Sequence, residues 1–446
     1  MKSWFKALTT TALAVSLAAC GSGGGGKSES SDAGASGSGS PSASAPADSG
    51  KQVTLRFAWW GSQPRHDYTL KLIDMYEKLH PNVKIEPEYA NFDDYWKKLA
   101  PEATAQQLPD IIQMDLSYIA QYGTKNQLVD LKPLIDKGLI NTADIAENAL
   151  SGGKVGDKLY GFTTGVNALN VDYDPELLKK VGIDKIPETW TWDDYKSYAL
   201  KAGSQGLYFD VGLRPEVFFG YYLRQNGKTL YSPDGTQLGY DDDSLFVNFF
   251  GMTTGITKAK GEPAPDVTAQ IKGVEDDLVV KSKAISNWQW SNQYIGLQST
   301  AKRPLEIAPL PGPNVEKGMF LKPSMYLSIA QNSKNQEEAA KFIDFFVNDV
   351  EANKLILGDR GVPLSSKVKE ALKPLLTPEQ QKVFDYIAWV ESHSSPMDPV
   401  DPIGAGEVAS IFKTYDEMMK YNKITPEDAA KKFREEANAV LAKNKQ

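Results

Sequence analysis

Val53-Thr54-Leu55-Arg56-Phe57-Ala58-Trp59-Trp60, halted by Gly61, is the stretch from which the fold can be read. Its β-branched and aromatic residues, with apolar positions alternating, predict a strand. A helical run follows from about His66 to Leu79, and Val83-Lys84-Ile85-Glu86-Pro87-Glu88-Tyr89 alternates as a half-buried strand does. Asp93-Asp94 opens a second helix carrying Tyr95, Trp96 and Leu99, and Pro109-Asp110-Ile111-Ile112-Gln113-Met114 supplies a third strand. Strand, helix, strand, helix, strand defines an α/β fold with a mostly parallel sheet covered on both faces. Ligands of such sheets bind beyond the carboxyl ends of the strands. Here those ends hold Trp59, Trp60, Gly61, Asn91, Phe92, Asp115, Ser117 and Tyr118.

Upstream of this core the composition changes abruptly. Residues 21–50 are almost wholly Gly, Ser, Ala, Pro and Asp, with nothing large enough to offset the entropy of ordering a backbone, so a disordered tether is expected. Its root-mean-square reach as a flexible coil is on the order of 30 Å. Before it, Lys2 and Lys6 precede a short apolar run, Ala12 to Ala19, and then Cys20, the only cysteine of the 446 residues. That run is far shorter than the roughly 20 residues a membrane helix needs. It fits a cleaved secretion signal over residues 1–19, with 20–50 as anchor and linker. Leu17-Ala18-Ala19-Cys20 resembles the bacterial lipobox, in which Cys20 is lipidated; an ordinary signal peptide with an incidental thiol is the competing reading.

Residues 51–446 have ordinary globular usage and exceed what one hydrophobic core organises, which predicts two lobes. Loss of residues 1–19 removes two lysines and no acid, taking the formal charge from −8 to −10. So acidic a surface excludes nucleic acid as a natural partner.

Several motifs in fixed order carry a family resemblance: Phe57-Ala58-Trp59-Trp60-Gly61, Tyr76-Glu77-Lys78 with His80-Pro81, Leu108 to Asp115, Gln127 to Leu131, Lys158 to Phe162, Thr189 to Tyr195, and Glu338 to Ile343. Together they resemble the extracellular solute-binding proteins of carbohydrate ABC importers. A narrower resemblance runs through Trp59 to Thr69, Asp93 to Pro101, Ala269 to Gly273 and Ser291 to Tyr294. These stretches are similar to the Gram-positive lipoproteins that bind rhamnogalacturonan oligosaccharides, the breakdown products of pectin. The resemblance implies two α/β lobes closing on an oligosaccharide, delivery to the membrane subunits of an ABC permease, a monomer, and a place on the outer face of the cytoplasmic membrane. Crossings between lobes are expected at Gly165 to Leu169, at Ala308 to Pro313 and near Arg360 to Pro363. They assign residues 51–165 and 312–362 to one lobe and 166–311 with 363–446 to the other.

A sugar offers an apolar CH face and a rim of hydroxyls, so its receptor needs flat aromatics and planar polar groups. Trp59-Trp60 closes a strand at one expected mouth and Trp288-Gln289-Trp290 does so in the other lobe. Because alternate strand residues face opposite ways, one tryptophan of each pair is expected in the cleft and the other in the core. Trp60 and Trp290 are assigned as platforms, with packing as the competing role. Phe92, Tyr118, Tyr221 and Tyr222 carry the same two options, and Asn167 lies in the first crossing. A uronic acid ligand would also need a cation, best a bidentate arginine. Arg65 comes first, near the start of a helix at His66-Asp67; Arg224, Arg214, Lys322 and Arg360 follow.

Catalysis finds no support in the residues. Asp93-Asp94 and Glu275-Asp276-Asp277 are neighbours that face different ways and cannot clamp one glycosidic bond. His66, His80 and His393 show no metal-ligand spacing, and Asp241-Asp242-Asp243 lacks a calcium-loop pattern and reads as a polar turn. No cofactor or metal is expected. A binder of neutral plant oligosaccharides is the alternative within the class, and a surface-anchored pectin-degrading enzyme the alternative outside it.

Overall fold

The computed structural model describes residues 52–61, 63–271 and 273–444; Cys20 and the segments 1–19 and 20–50 lie outside them. In these residues the strands are β1 (Val53–Trp60), β2 (Val83–Ala90), β3 (Ile111–Met114), β4 (Lys154–Val155), β5 (Lys158–Leu159), β6 (Phe162–Asn167), β7 (Leu169–Tyr173), β8 (Ser286–Trp290), β9 (Glu306–Ala308) and β10 (Lys322–Ile329). Helices α1 (Gln63–Leu79) and α2 (Phe92–Thr104) connect the first three strands, and α3 (Leu116–Thr124) leaves the third.

The first sheet has the order β2-β1-β3-β10-β6. β1 runs parallel to β2 and β3, while β10 lies antiparallel between β3 and β6. Period-two alternation in β1 divides its side chains between two cores. Leu55, Phe57 and Trp59 join Leu72, Ile73, Tyr76, Phe342 and Phe346 on one face. Ala58 and Trp60 join Tyr95, Trp96, Leu99 and Met114 on the other. Each such large side chain taken from water contributes about 1.5–3 kcal/mol. The expected two-faced sheet is present, with β10 the one strand that opposes the rest.

The second sheet, β8-β7-β9, is antiparallel throughout. Its core includes Val171, Tyr195, Phe209, Phe218, Phe219 and Trp288, with Val368, Val383, Phe412 and Phe433 from helices late in the chain. One residue, Ala168, separates β6 of the first sheet from β7 of the second. There Val166 and Val362 exchange backbone hydrogen bonds of 2.9 and 3.1 Å. The approach is close enough to demand glycine: a Cβ on Gly165 would stand 2.3 Å from the Arg360 carbonyl oxygen, and Gly361 has φ +89°.

Candidate functional site

Register places the site. Tyr326 of β10 pairs with Met114, the last residue of β3, so the preceding residues of β10 run past the carboxyl edge of the first sheet and Lys322 pairs with Asn167. At the same edge end β1 and β2, with Trp60 opposite Ala90. From the second sheet, Trp290 pairs with Leu169, and the next residue, Ser291, donates its N–H to the Ala168 carbonyl at 2.9 Å. Trp290 therefore stands beside the crossing.

At the edge of the first sheet, Asn91 and Asp115 serve as helix N-caps. Asn91 Oδ1 accepts from Asp94 N at 3.0 Å, and an Asp115 carboxylate oxygen accepts from Ser117 N at 2.9 Å. Such caps are worth about 1 kcal/mol each. Trp60 meets Phe92 edge-on at 5.4 Å and packs against Tyr95 and Trp96, leaving it 8% exposed, whereas Phe92 is 41% exposed. Trp60, assigned as a platform, is walled in by α2, whereas Phe92, for which packing and stacking were both open, shows surface. Tyr118 stacks on Trp96 at 3.8 Å. Trp96 was not selected from the sequence, although it lies one helical turn beyond Phe92 and so on the same face. Its indole N–H is buried without a partner among the described residues.

The second pair corrects the alternation argument. Trp288 and Trp290 are two residues apart and share a face of the sheet, so position along the strand separates them. Trp288 is 4% exposed amid Trp190, Tyr195 and Phe218, its N–H donating to Ser286 Oγ at 3.2 Å. Trp290, at the strand end, is half-buried, with Phe320 edge-on at 5.9 Å and the Lys322 ammonium 4.8 Å from its ring centroid. Tyr222 packs against Trp192 and Phe249. Tyr221 is buried with its hydroxyl on the Pro311 carbonyl at 3.0 Å.

Three arginines are already engaged. The helix starts at Gln63, not His66, which puts Arg65 inside α1, where its stem packs against Gly61. Arg65 Nε donates to Asp359 Oδ2 at 2.8 Å and another guanidinium nitrogen to the Asp359 carbonyl at 3.2 Å; the Tyr68 hydroxyl shares that carboxylate. Burial pushes the Asp359 carboxyl up, but Arg65 and Tyr68 outweigh it and hold it below the usual carboxylate range. Arg224 donates to the Gly318 carbonyl, Ser395 Oγ and the Pro396 carbonyl at 3.1, 2.6 and 2.9 Å and pairs with Asp398. Arg360 is fully buried, bound to Gln113 and to Thr69 Oγ1 at 3.0 Å, with Tyr68 and Phe346 against its plane.

Lys322 differs. No carboxylate of the described residues lies within ion-pair distance of its ammonium, and Arg214, at the start of helix Pro215–Gln225, is exposed and likewise without an ion pair there. Burial is the largest influence on Lys322 and lowers its pKa; Arg214 adds to that, while Asp115 and Asp401 oppose it. Beside it, the buried Asn167 side-chain oxygen has no hydrogen-bond partner among the described residues. Asp241, Asp242 and Asp243 form a helix start: Asp242 caps Ser244 N at 2.9 Å and Asp243 pairs with Arg434. Among the described residues no group of three or more His, Cys, Asp or Glu side chains could hold a metal ion, and no helix is long and apolar enough to cross a membrane. A cavity of about 390 Å³ lined by Asp130, Lys137, Lys158 and Tyr160 also touches Gln331. Because Ile329 pairs with Ile111 at the start of β3, that cavity lies toward the opposite edge of the sheet.

Two sheets joined by narrow crossings, with aromatic and polar side chains at the facing ends, define an α/β ligand-binding fold. The chain belongs to the bacterial extracellular solute-binding proteins, whose family pattern matches residues 61–352. A family 1 extracellular solute-binding protein of Alicyclobacillus acidocaldarius superposes with a TM-score of 0.78 at 30% identity, over 89% of this chain and all of that one. A periplasmic oligogalacturonide-binding protein of Yersinia enterocolitica superposes at 0.77 with 21% identity, over 88% of this chain and all of that one; another structure of it holds saturated digalacturonic acid. An arabinooligosaccharide-binding protein of Bacillus subtilis is 26% identical over 159 residues, 34% of this chain. This chain spans only 36% of the length of that relative.

Proposed function

We propose that this protein captures oligosaccharides outside the cell, acidic fragments of pectin such as rhamnogalacturonan foremost, and delivers them to the membrane subunits of an ABC importer. The observation that carries the reading is the chemistry of the crossing. An exposed aromatic, Phe92, and a half-buried one, Trp290, flank a sheet edge at which Lys322 has no carboxylate partner among the described residues. Flat rings suit the CH faces of sugars, and a cation suits a uronate. The oligogalacturonide-binding neighbour supports the same choice. Residues 51–165 with 312–362 form one lobe in this proposal and residues 166–311 with 363–446 the other, closing about the three crossings as a monomer. Lipidated Cys20 holds the protein at the outer face of a Gram-positive membrane, and Cys20→Ala releases it into the medium.

A second reading, a neutral arabino- or xylo-oligosaccharide, is favoured by the engagement of Arg65, Arg224 and Arg360 with groups of the protein itself. Binding rather than catalysis is proposed in both. A thermal-shift screen decides between them. A ligand of the folded state raises stability by about 2.7 kcal/mol at a hundredfold excess over its dissociation constant. Stabilisation by digalacturonic acid or rhamnogalacturonan fragments, with none by arabino-oligosaccharides, supports the acidic ligand; the reverse pattern overturns it. Release of shorter sugars on incubation would instead identify an enzyme.

A further inference from the structure

We infer that Lys322, rather than Arg65, Arg224 or Arg360, is the cation that receives the ligand's carboxylate, with Trp290 as the surface that positions its ammonium. The inference rests on the acidic-sugar reading of the site.

Geometry separates Lys322 from Arg65, Arg224 and Arg360. It lies past the end of β3 at the carboxyl edge of the first sheet, next to the crossing that leads to Trp290. Its ammonium has three N–H donors, and the described residues provide no carboxylate within ion-pair distance; the indole face, 4.8 Å away, is its cation–π neighbour. Holding a partly desolvated charge on an aromatic face costs hydration that the weak contact does not fully return. An incoming carboxylate restores it with charge-assisted hydrogen bonds.

The charged groups around Lys322 are Asp115 at the start of α3, Arg214 at the start of helix Pro215–Gln225, and Asp401 between the helices Pro378–Ser392 and Ala405–Lys420. The two carboxylates oppose the lowering of the ammonium's pKa by burial without pairing with it, and Arg214 adds to that lowering. Asn167, the backbone neighbour of Lys322, contributes a buried side-chain oxygen with no partner among the described residues, an acceptor for a sugar hydroxyl. Arg65, Arg224 and Arg360 lack this freedom. For a uronate to take any of them it must displace Asp359, Asp398 or a buried network of Gln113 and Thr69.

The test is calorimetric titration with digalacturonic acid and with its carboxyl-reduced counterpart, on the wild type, Lys322→Met and Lys322→Arg. Methionine keeps the apolar stem over Trp290 and removes the charge. Lys322→Met is expected to weaken digalacturonic acid by about 10- to 100-fold, the range for a hydrogen bond to a charged group, while reduced sugar changes by under about threefold. Lys322→Arg restores most of the loss. If Lys322→Met keeps the wild-type preference for the acid, the inference is overturned and the acidic-sugar reading stands. If the wild type itself binds acid and reduced sugar alike, that reading falls, and this inference with it. Should Lys322→Met fail to fold, lysine-selective methylation of the wild type with mass-spectrometric readout decides. Protection of Lys322 by saturating digalacturonic acid supports the inference, and equal modification with and without it overturns it.

Discussion

At the carboxyl edge of the first sheet Trp59 turns into the core, Trp60 is sealed behind Phe92 and Trp96, and Arg65, packed under Gly61, lies against Asp359. Beside the crossing the ingredients are the same and the outcome differs. Trp288 is buried much as Trp59 is, but Trp290 ends its strand half-buried, and the cation over it, Lys322, has no ion pair among the described residues. A tryptophan and a cation at a strand end can therefore be either sealed by the protein's own groups or left partly open. What separates the two regions is how deeply the tryptophan is buried and whether a carboxylate of the protein neutralises the cation.

The largest expected effect tests the shared part of that comparison. Trp59→Ala and Trp288→Ala each remove a buried indole and are expected to cost about 3–5 kcal/mol of stability, read from denaturant midpoints. Trp59 also leaves His66 without the N–H that it accepts at 3.1 Å. Trp290→Ala is expected to cost under about 1 kcal/mol of stability. Equal losses at Trp288 and Trp290 would erase the distinction between a core tryptophan and one at the cleft.

The next effect sharpens it through binding. Trp290→Ala is expected to weaken any oligosaccharide ligand, acidic or neutral, by about 2 kcal/mol, the scale of a central aromatic contact. Phe92→Ala is expected to cost nearer 1 kcal/mol, since an exposed ring surrenders less water-excluded area. Trp60→Phe, in a packed position, is expected to act on stability more than on affinity. Titration calorimetry on the three variants gives the order, and an affinity loss for Trp60→Phe exceeding that for Trp290→Ala would return Trp60 to the role of platform.

The first sheet was legible because its evidence is local. Alternation over Val53 to Trp60 and over Val83 to Tyr89, with helices between, needs no knowledge of distant partners. At two of the expected crossings, Gly165 and Gly361 are restricted by backbone contact and a positive φ, which spacing in the sequence does not reveal. What stayed hidden depends on pairing across long separations. The resemblance put residues 312–362 with the first lobe, but not the antiparallel place of β10 between β3 and β6, and the second sheet joins three short strands drawn from residues 169 to 308. The burial of Arg360 draws on Thr69, Gln113 and Phe346, which no spacing in the sequence brings together. Asn91 and Asp115 were correctly placed at strand ends, but a polar residue there also begins the next helix, and capping took both.

The smallest expected effect bears on the first region alone. Arg65 and Asp359 form an ion pair in which the carboxylate side chain remains nearly half exposed, so solvent screens it, and Asp359→Asn is expected to cost only about 0.5–1 kcal/mol at neutral pH. The sign of its pH dependence follows from the depressed carboxyl. A group held below its unfolded-state value contributes stability that is present above the unfolded pKa and lost as pH falls through the folded one. The difference between wild type and Asp359→Asn is therefore expected to be level from neutral pH down to about 4 and to shrink below it. The variant also frees Arg65, the guanidinium that the sequence put first for a uronate. If Asp359→Asn gains affinity for digalacturonic acid and not for its reduced form, the two regions differ only by the presence of Asp359, and the first can be converted into the second. If affinity is unchanged, Arg65 is out of the ligand's reach, and Lys322 remains the cation proposed to meet a sugar acid.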